Sequence, residues 1–286
     1  MIELVLESQR HDLGGFEVGR VLPAVARRHV GPFVFFDHFG PATMRPGFPQ
    51  DVDVRPHPHI GLSTLTYLFE GEITHRDSLG FTAAIRPGEV NWMTAGRGIT
   101  HSERFETLRR DGGVLHGLQA WIALPEDAEE VAPAFAHHGP PDLPTYEFPG
   151  LWARLLAGEA FGAKAAVKTH SPMFYVRWRL RSGAQAQIPA QYSERAAFVA
   201  AGAVEIAGRA FTAGQMVVFA PGEPILVTGV ADADVMLLGG EPVGPRILDW
   251  NFVASTPARI AQAKADWRDG RFKLPDDDDA EFIPGP

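Results

Sequence analysis

The chain has 286 residues, of which 45% are hydrophobic and 21% are charged, as expected of a globular protein with a buried core. It contains no cysteine, which excludes disulfides, thiol catalysis and thiolate metal sites. The formal net charge of -9, with no basic patch larger than Arg27-Arg28, argues against direct nucleic-acid binding.

We expect no secretory signal in the first residues, because Glu3 and Glu7 lie where a basic leader and an apolar run would be needed. No uncharged apolar stretch reaches the roughly 18 residues that a membrane span requires. We therefore expect a cytoplasmic protein with no membrane segment.

Short apolar or alternating runs between glycine and proline residues predict an all-β fold. Such regularly spaced short strands are typical of a β-sandwich or β-barrel. The clearest runs are residues 63–69, 90–93, 118–124, 174–180 and 235–238.

Five prolines between Pro133 and Pro149 predict a linker, because proline cannot donate a hydrogen bond to a β-ladder. The chain then divides into an N-terminal domain of residues 1–135, a linker of residues 136–149 and a C-terminal domain of residues 150–286.

The two predicted domains look like diverged copies. In each, a strand, a tight turn and a strand are followed by a glycine-containing turn and another strand, as in residues 68–75 and 85–93 and in residues 198–208 and 211–219. A repeat on this scale suggests two β-barrels of one type.

One amphipathic helix is predicted near the C-terminal end. Thr256 and Pro257 form an N-cap and N1 pair, and Gly270 lies where a C′ glycine is expected. Between them, one face carries Ile260, Ala263 and Trp267. The acidic residues 276–279 that follow are expected to be a solvated tail.

Two pairs of metal-binding side chains occur at strand spacing. His57 and His59 form one pair, and His101 and Glu103 form the other. Residues i and i+2 of a strand share a face, so two neighbouring strands can direct all four side chains at one ion inside a barrel. The other histidines lack such a pattern and are expected to be structural: His11, His29, His38, His75, His116, His137, His138 and His170.

Three imidazoles and one carboxylate leave one or two open positions on a six-coordinate ion, which is typical of a catalytic site rather than a structural one. The absence of sulfur is compatible with Fe(II), Mn, Ni, Cu or Zn. No dinucleotide motif, P-loop or nucleophile elbow is present, although a zinc-dependent isomerase or hydrolase stays an alternative.

The residues around both pairs, 55–80 and 87–103, resemble the pirin family of the cupin superfamily, as do residues 31–41 and the end of the chain. The resemblance implies a bicupin: two antiparallel double-stranded β-barrel (jelly-roll) domains with a C-terminal helix. It also implies one mononuclear metal in the N-terminal barrel, for which we expect Fe(II), held by His57, His59, His101 and Glu103.

Matching Gly71 to Gly202 and Gly88 to Gly214 projects this ligand set onto the second barrel. The projected positions are Ile188, Ala190, Val227 and Gly229. None of these side chains can bind a metal, so the C-terminal barrel is expected to be metal-free.

The resemblance further implies a quercetin 2,3-dioxygenase-like activity, in which O2 opens the ring of a flavonol and carbon monoxide is released. Glu103 would take the hydroxyl proton of this small aromatic substrate. Strand parity suggests that Gly61, Ser63, Ile99 and Phe105 line the substrate pocket. The alternative is a non-enzymatic, iron-dependent redox sensor that binds a regulatory protein partner.

Overall fold

The computed structural model describes residues 1–12 and 16–285, which are mostly β-strand. The predicted β-fold with a C-terminal helix is confirmed. In chain order the strands are β1 (Ile2–Glu7), β2 (Gln9–Asp12), β3 (Glu17–Leu22), β4 (Phe33–Met44), β5 (Val54–His59), β6 (Leu62–Glu70), β7 (Ile73–Asp77), β8 (Thr82–Ile85), β9 (Val90–Thr94), β10 (Ile99–Arg104), β11 (Gly113–Ala123), β12 (Ala134–His138), β13 (Thr145–Phe148), β14 (Leu151–Ala160), β15 (Ala163–Lys164), β16 (Met173–Leu180), β17 (Gln185–Ile188), β18 (Glu194–Ala201), β19 (Ala203–Ile206), β20 (Arg209–Thr212), β21 (Gln215–Phe219), β22 (Ile225–Gly229), β23 (Ala233–Gly240), β24 (Ile247–Asp249) and β25 (Phe252–Ala254). The α-helices are α1 (Glu106–Asp111) and α2 (Pro257–Arg268), and short 3-10 helices span Gln50–Val52, Glu126–Ala128 and Pro140–Asp142.

Two compact units are interleaved along the chain. The first unit comprises Met1–Arg10, Gly19–His38 and His138–Pro242. The second unit comprises His11–Val18, Phe39–His137 and Val243–Pro286. This division differs from the contiguous domains expected from the sequence, because strand pairing joins segments that are distant in the chain.

The first unit contains two antiparallel sheets, with strand orders β1-β21-β18-β23-β16-β14-β13 and β17-β22-β19-β20; β15 pairs with β14. Strand β17 shows why these segments form strands, since buried Ala186 and Ile188 alternate with exposed Gln185 and Gln187. Their side chains join one hydrophobic cluster that fills this unit. Closure of these sheets into a jelly-roll barrel stays a prediction.

The second unit repeats this arrangement. Its smaller sheet has the order β5-β10-β7-β8, and β12, β9, β6 and β11 are neighbours in that order in a larger one. Strand β10 therefore lies between β5 and β7, just as β22 lies between β17 and β19 in the first unit. The shared order supports the internal repeat and places the candidate ligands on neighbouring strands.

Helix α2 forms as the sequence predicted. The Thr256 hydroxyl accepts a hydrogen bond from the Arg259 amide at 3.3 Å, and the buried face carries Ile260, Ala263 and Trp267. This face packs against Phe252 of β25. The helix thus belongs to the second unit, whereas the sequence grouped it with residues 150–286. No helix in the described ranges is long and apolar enough to cross a membrane.

The residues expected to form a proline-rich linker contain ordered strands. The end of β12 and all of β13 lie within residues 136–149, and β13 pairs with β14. The prolines are confined to turns and flanking positions, so the β13 ladder keeps its amide donors.

Candidate metal centre

The structure brings three of the candidate ligands together on two antiparallel strands. In the β5–β10 register, His101 lies opposite His57, and Ile99 lies opposite His59. The ring centroids are 4.4 Å apart for His57 and His101, 4.9 Å for His57 and His59, and 5.1 Å for His59 and His101. One nitrogen from each ring lies within 4.8 Å of the other two, and all three side chains are buried.

Main-chain carbonyls orient two of these rings. His57 Nδ1 lies 2.9 Å from the Arg55 carbonyl oxygen, and His59 Nδ1 lies 3.0 Å from the Asn251 carbonyl oxygen. A carbonyl oxygen only accepts hydrogen bonds, so each Nδ1 carries the proton and each Nε2 presents its lone pair.

The donor set fits a metal ion. In the part of the chain that the structure describes, Nε2 of His59 and Nε2 of His101 are buried without a hydrogen-bond partner. Such groups are rare in folded proteins unless a ligand satisfies them. Three imidazole nitrogens suit a divalent transition ion.

Burial keeps the three imidazoles neutral. Desolvation is the main reason why the pKa of His57 falls to about 4, although the Arg55 carbonyl partly opposes that fall. Desolvation, together with repulsion from the neighbouring histidines, also holds the pKa values of His59 and His101 well below the ordinary value. Neutral imidazole is the form that binds metal, so no proton has to leave these rings at neutral pH.

Glu103 is not part of the described group of three imidazoles. A β-bulge separates it from His101 in the β5–β10 pairing, so Glu103 pairs with Val54. Its carboxylate is outside the described group of nitrogens within 4.8 Å of one another. The side chain is partly buried, and desolvation raises its pKa to about 7. Its role as the fourth ligand stays a prediction.

A fourth histidine contacts the cluster and was missed by the sequence analysis. His75 on β7 lies with its Nδ1 3.3 Å from Nδ1 of His101, and its Nε2 lies 2.9 Å from Oδ2 of Asp77. The sequence assigned His75 a structural role because it had no evident partner. The signal that could have found it is the spacing of His75 and Asp77, which is i and i+2 on a strand like the two recognised pairs.

The four residues expected to line a substrate pocket have different surroundings. Ile99 lies beside the cluster, opposite His59, and Ser63 Oγ lies 3.1 Å from the Thr94 hydroxyl. Gly61 has a φ of 67°, and a Cβ there would lie 1.9 Å from the Val253 carbonyl oxygen. Backbone packing therefore requires this glycine.

Phe105 belongs to a hydrophobic cluster and lies with its ring 5.6 Å from that of Phe16. An aromatic residue that the sequence analysis did not single out, Trp121, contacts the His59 ring edge-to-face at 5.0 Å. The substrate-lining role of the four predicted residues stays a prediction.

The residues near the C-terminal end hold both ligand strands. Ser102 Oγ donates to Asp278 at 2.6 Å, and Arg104 donates to both Asp278 oxygens at 2.6 and 2.8 Å. The Ile283 amide donates to the Pro56 carbonyl, next to His57, at 2.8 Å. The expectation of a solvated acidic tail is therefore wrong for Asp278, because the otherwise buried Arg104 guanidinium binds it.

The first unit shows apolar residues at the matching positions. Val227 of β22 lies opposite Ala186, and Ile225 lies opposite Ile188, as His101 lies opposite His57 and Ile99 opposite His59. The register thus matches His57 and His59 to Ala186 and Ile188, two residues before the projected Ile188 and Ala190. The face is unchanged, and its residues lie in the hydrophobic cluster of that unit.

The repeated β-fold and the buried histidine cluster define a protein of the cupin class with a candidate metal site. A family model described as Pirin matches residues 15–122, and one described as Pirin C-terminal cupin domain matches residues 175–273. The chain belongs to the pirin family.

Relatives are similar over most of their length. A pirin-like protein of Caulobacter vibrioides is 64% identical over 100% of both chains. A Pseudomonas aeruginosa protein provisionally named quercetin 2,3-dioxygenase is 40% identical over 90% of this chain and 80% of its own. The crystal structure of quercetin 2,3-dioxygenase from Acinetobacter baumannii superposes with a TM-score of 0.91 at 35% identity, covering 99% of this chain and 94% of that one.

Proposed function

We propose that this protein is a mononuclear metal-dependent dioxygenase of the pirin type. It would open the ring of a flavonol such as quercetin with O2 and release carbon monoxide. The observation that carries this proposal is the convergence of three buried imidazoles, two of which present Nε2 atoms that have no hydrogen-bond partner among the described residues. The similarity to proteins named quercetin 2,3-dioxygenase supports the choice of substrate.

His57, His59 and His101 would hold the ion, and Glu103 is proposed as a fourth ligand from a neighbouring position on β10. We propose Fe(II), while Mn, Ni, Cu and Zn also suit this donor set. A bound divalent ion supplies Lewis acidity toward the enolic oxygen of the substrate and an open coordination position. The cytoplasm stays the predicted location.

Glu103 is proposed to take the hydroxyl proton of the substrate. Its side chain is partly buried and lies on β10, the strand that carries His101. A base is most effective when its pKa lies near the working pH, and burial raises the pKa of Glu103 to about 7. Ile99 lies opposite His59 and Trp121 contacts the His59 ring, so we propose these two apolar side chains as a border of the substrate site.

The test is O2 uptake and carbon monoxide release by protein loaded separately with each candidate ion and offered a panel of flavonols. We expect one carbon monoxide released per O2 consumed, with loss of both in His101→Ala. His137→Gln is the matched control, since His137 belongs to the same unit but binds Asn91. Its activity should equal that of the wild type.

Absence of flavonol-dependent O2 uptake with every ion would reject the dioxygenase proposal. If affinity for a protein partner then differed between the Fe(II) and Fe(III) forms, the redox-sensor alternative would replace it. Tight zinc binding without any redox response would instead favour the isomerase or hydrolase alternative.

A further inference from the structure

A chain of hydrogen bonds leads away from the metal-binding cluster through β7. It runs from His101 to His75 and ends at Asp77, and all three side chains are buried. His101 differs in this respect from His57 and His59, whose Nδ1 atoms face main-chain carbonyls. The third ring therefore depends on side chains for its orientation.

Asp77, at the end of this chain, determines which atom donates in each hydrogen bond. Oδ1 of Asp77 accepts hydrogen bonds from the amides of Leu79 and Phe81 at 2.9 and 3.2 Å, so Asp77 is an anchored acceptor. His75 Nε2 then carries a proton and donates it to Oδ2. In neutral His75 the Nδ1 atom is an acceptor, which requires the proton of His101 to lie on Nδ1 and leaves the lone pair of His101 Nε2 for the ion.

The surroundings hold this arrangement in place. The ring of Phe135 stacks on His75 with centroids 4.4 Å apart and planes 14° apart, which fixes the plane of the imidazole. Asp77 lies opposite His101 in the β10–β7 register, so the relay spans adjacent strands of one sheet. A rotation of His75 would break the stacking contact and both hydrogen bonds.

The internal repeat provides an independent comparison. In the first unit the β22–β19 register places Ile206 opposite Val227, as Asp77 lies opposite His101, and places Val204 where His75 would be. Both residues are apolar and buried. The relay is thus absent from the described unit that also lacks the histidine ligands, which indicates that Asp77 and His75 belong with the metal site.

We propose that His75 and Asp77 are positioning residues that hold His101 in the Nδ1–H tautomer and thereby present its Nε2 atom to the ion. This inference rests on the proposed metal site but not on the dioxygenase activity. Through the relay, the negative charge of Asp77 also strengthens His101 as a donor, since outer partners of this kind raise the basicity of a ligating imidazole.

Asp77→Asn tests the proposal with little change of shape. In this variant the side-chain oxygen of the asparagine can keep accepting hydrogen bonds from the amides of Leu79 and Phe81. The NH2 group of the same side chain then faces His75 Nε2. His75 must then protonate on Nδ1, and His101 must move its proton to Nε2. The matched control is Asp37→Asn, which removes a similarly buried carboxylate from the first unit.

Two measurements report the result. Long-range 1H–15N NMR of the metal-free protein gives the tautomer of each histidine, and titration with Co(II), followed by visible absorption, gives its Kd. We expect Nδ1–H at His101 in the wild type, Nε2–H in Asp77→Asn, and a Co(II) affinity lowered by about 10–100-fold in that variant. Asp37→Asn should change neither.

The double variant His75→Asn/Asp77→Asn distinguishes the effect of the His101 tautomer on Co(II) affinity from the effect of the Asp77 charge. An asparagine at position 75 places its carbonyl oxygen near the former Nδ1 atom, where it can accept from His101, so the double variant should bind Co(II) more tightly than Asp77→Asn. A double variant that bound no tighter would overturn the proposal, as would Nε2–H at His101 in the wild type or unchanged affinity in Asp77→Asn. Failure of the wild type to bind Co(II) would reject the metal site, and the NMR result would still decide the tautomer.

Discussion

Asp278 links the acidic segment to a buried cation, so its replacement should weaken the second unit. Asp278→Asn leaves the Arg104 guanidinium in place, with a side chain only 4% exposed, but removes the carboxylate that accepts two of its hydrogen bonds and the one from Ser102. Removing one partner of a buried ion pair costs about 3–5 kcal/mol. We expect a smaller loss, about 2–3 kcal/mol, because Asp53 and Glu281 remain 3.6 and 3.1 Å from the guanidinium and Asp278 is itself 12% exposed.

The effect should depend on pH with a definite sign. Burial alone would raise the pKa of Asp278, but hydrogen bonds from Arg104 and Ser102 outweigh it and hold that pKa below the ordinary value of 3.8. A lowered pKa in the folded state means that the carboxylate stabilises the protein above pH 3.8 and that this contribution is lost as the pH falls through the folded-state value. The difference between wild type and Asp278→Asn should therefore be constant from pH 8 to pH 5 and shrink in stronger acid.

The assay is urea unfolding followed by tryptophan fluorescence, with hydrogen–deuterium exchange to locate the change at β5 and β10. Asp277→Asn is the control, because Asp277 is the exposed neighbour in the same acidic run and its change should stay within about 0.5 kcal/mol. Equal stability of the two variants, or faster exchange outside the second unit only, would refute the reasoning.

Three further predictions concern the site itself. His101→Ala should reduce bound metal in the purified protein well below one equivalent, and full occupancy by elemental analysis would reject the assigned ligands. Gly61→Ala should lower the free energy of unfolding by at least about 2 kcal/mol, since a Cβ would meet the Val253 carbonyl oxygen at a positive φ; a variant with an unchanged urea midpoint would show that the backbone can relax. In the metal-free protein, burial raises the pKa of Glu103 from 4.5 to about 7, so its ionised form weakens folding increasingly as the pH rises between these values. Glu103→Gln should therefore be more stable than the wild type at pH 8, by at most about 3 kcal/mol, and by much less at pH 5; the same gain at both pH values in urea unfolding would contradict this.

The histidine pairs were visible in the sequence because strand parity is local. His57 and His59 are two residues apart, so they lie on the same face of a strand in any fold. The tertiary structure then only has to pair β10 with β5. The same rule applies to His75 and Asp77, but a lone histidine followed by an acid resembles an ordinary surface pair until the third strand is placed.

The other contacts of the site were not predicted because they join residues that are distant in the chain. The bond between His59 and the Asn251 carbonyl joins residues 192 positions apart, and the bond between Arg104 and Asp278 joins residues 174 apart. Neither Asn251 nor Asp278 lies in a local sequence pattern that predicts its contact. The number of prolines likewise predicted a linker at residues 136–149. Composition alone does not show that these prolines lie between the strands and not within them.

The interleaved units impose an order on biosynthesis. Residues 243–286, which include Asn251, helix α2 and Asp278, emerge from the ribosome only after all of residues 138–242. The nascent chain thus exposes His57, His59 and His101 well before the segment that braces their strands exists. The first unit can fold before the last residues of the second unit have been synthesised. We therefore expect the metal ion to bind only after synthesis of the chain is nearly complete.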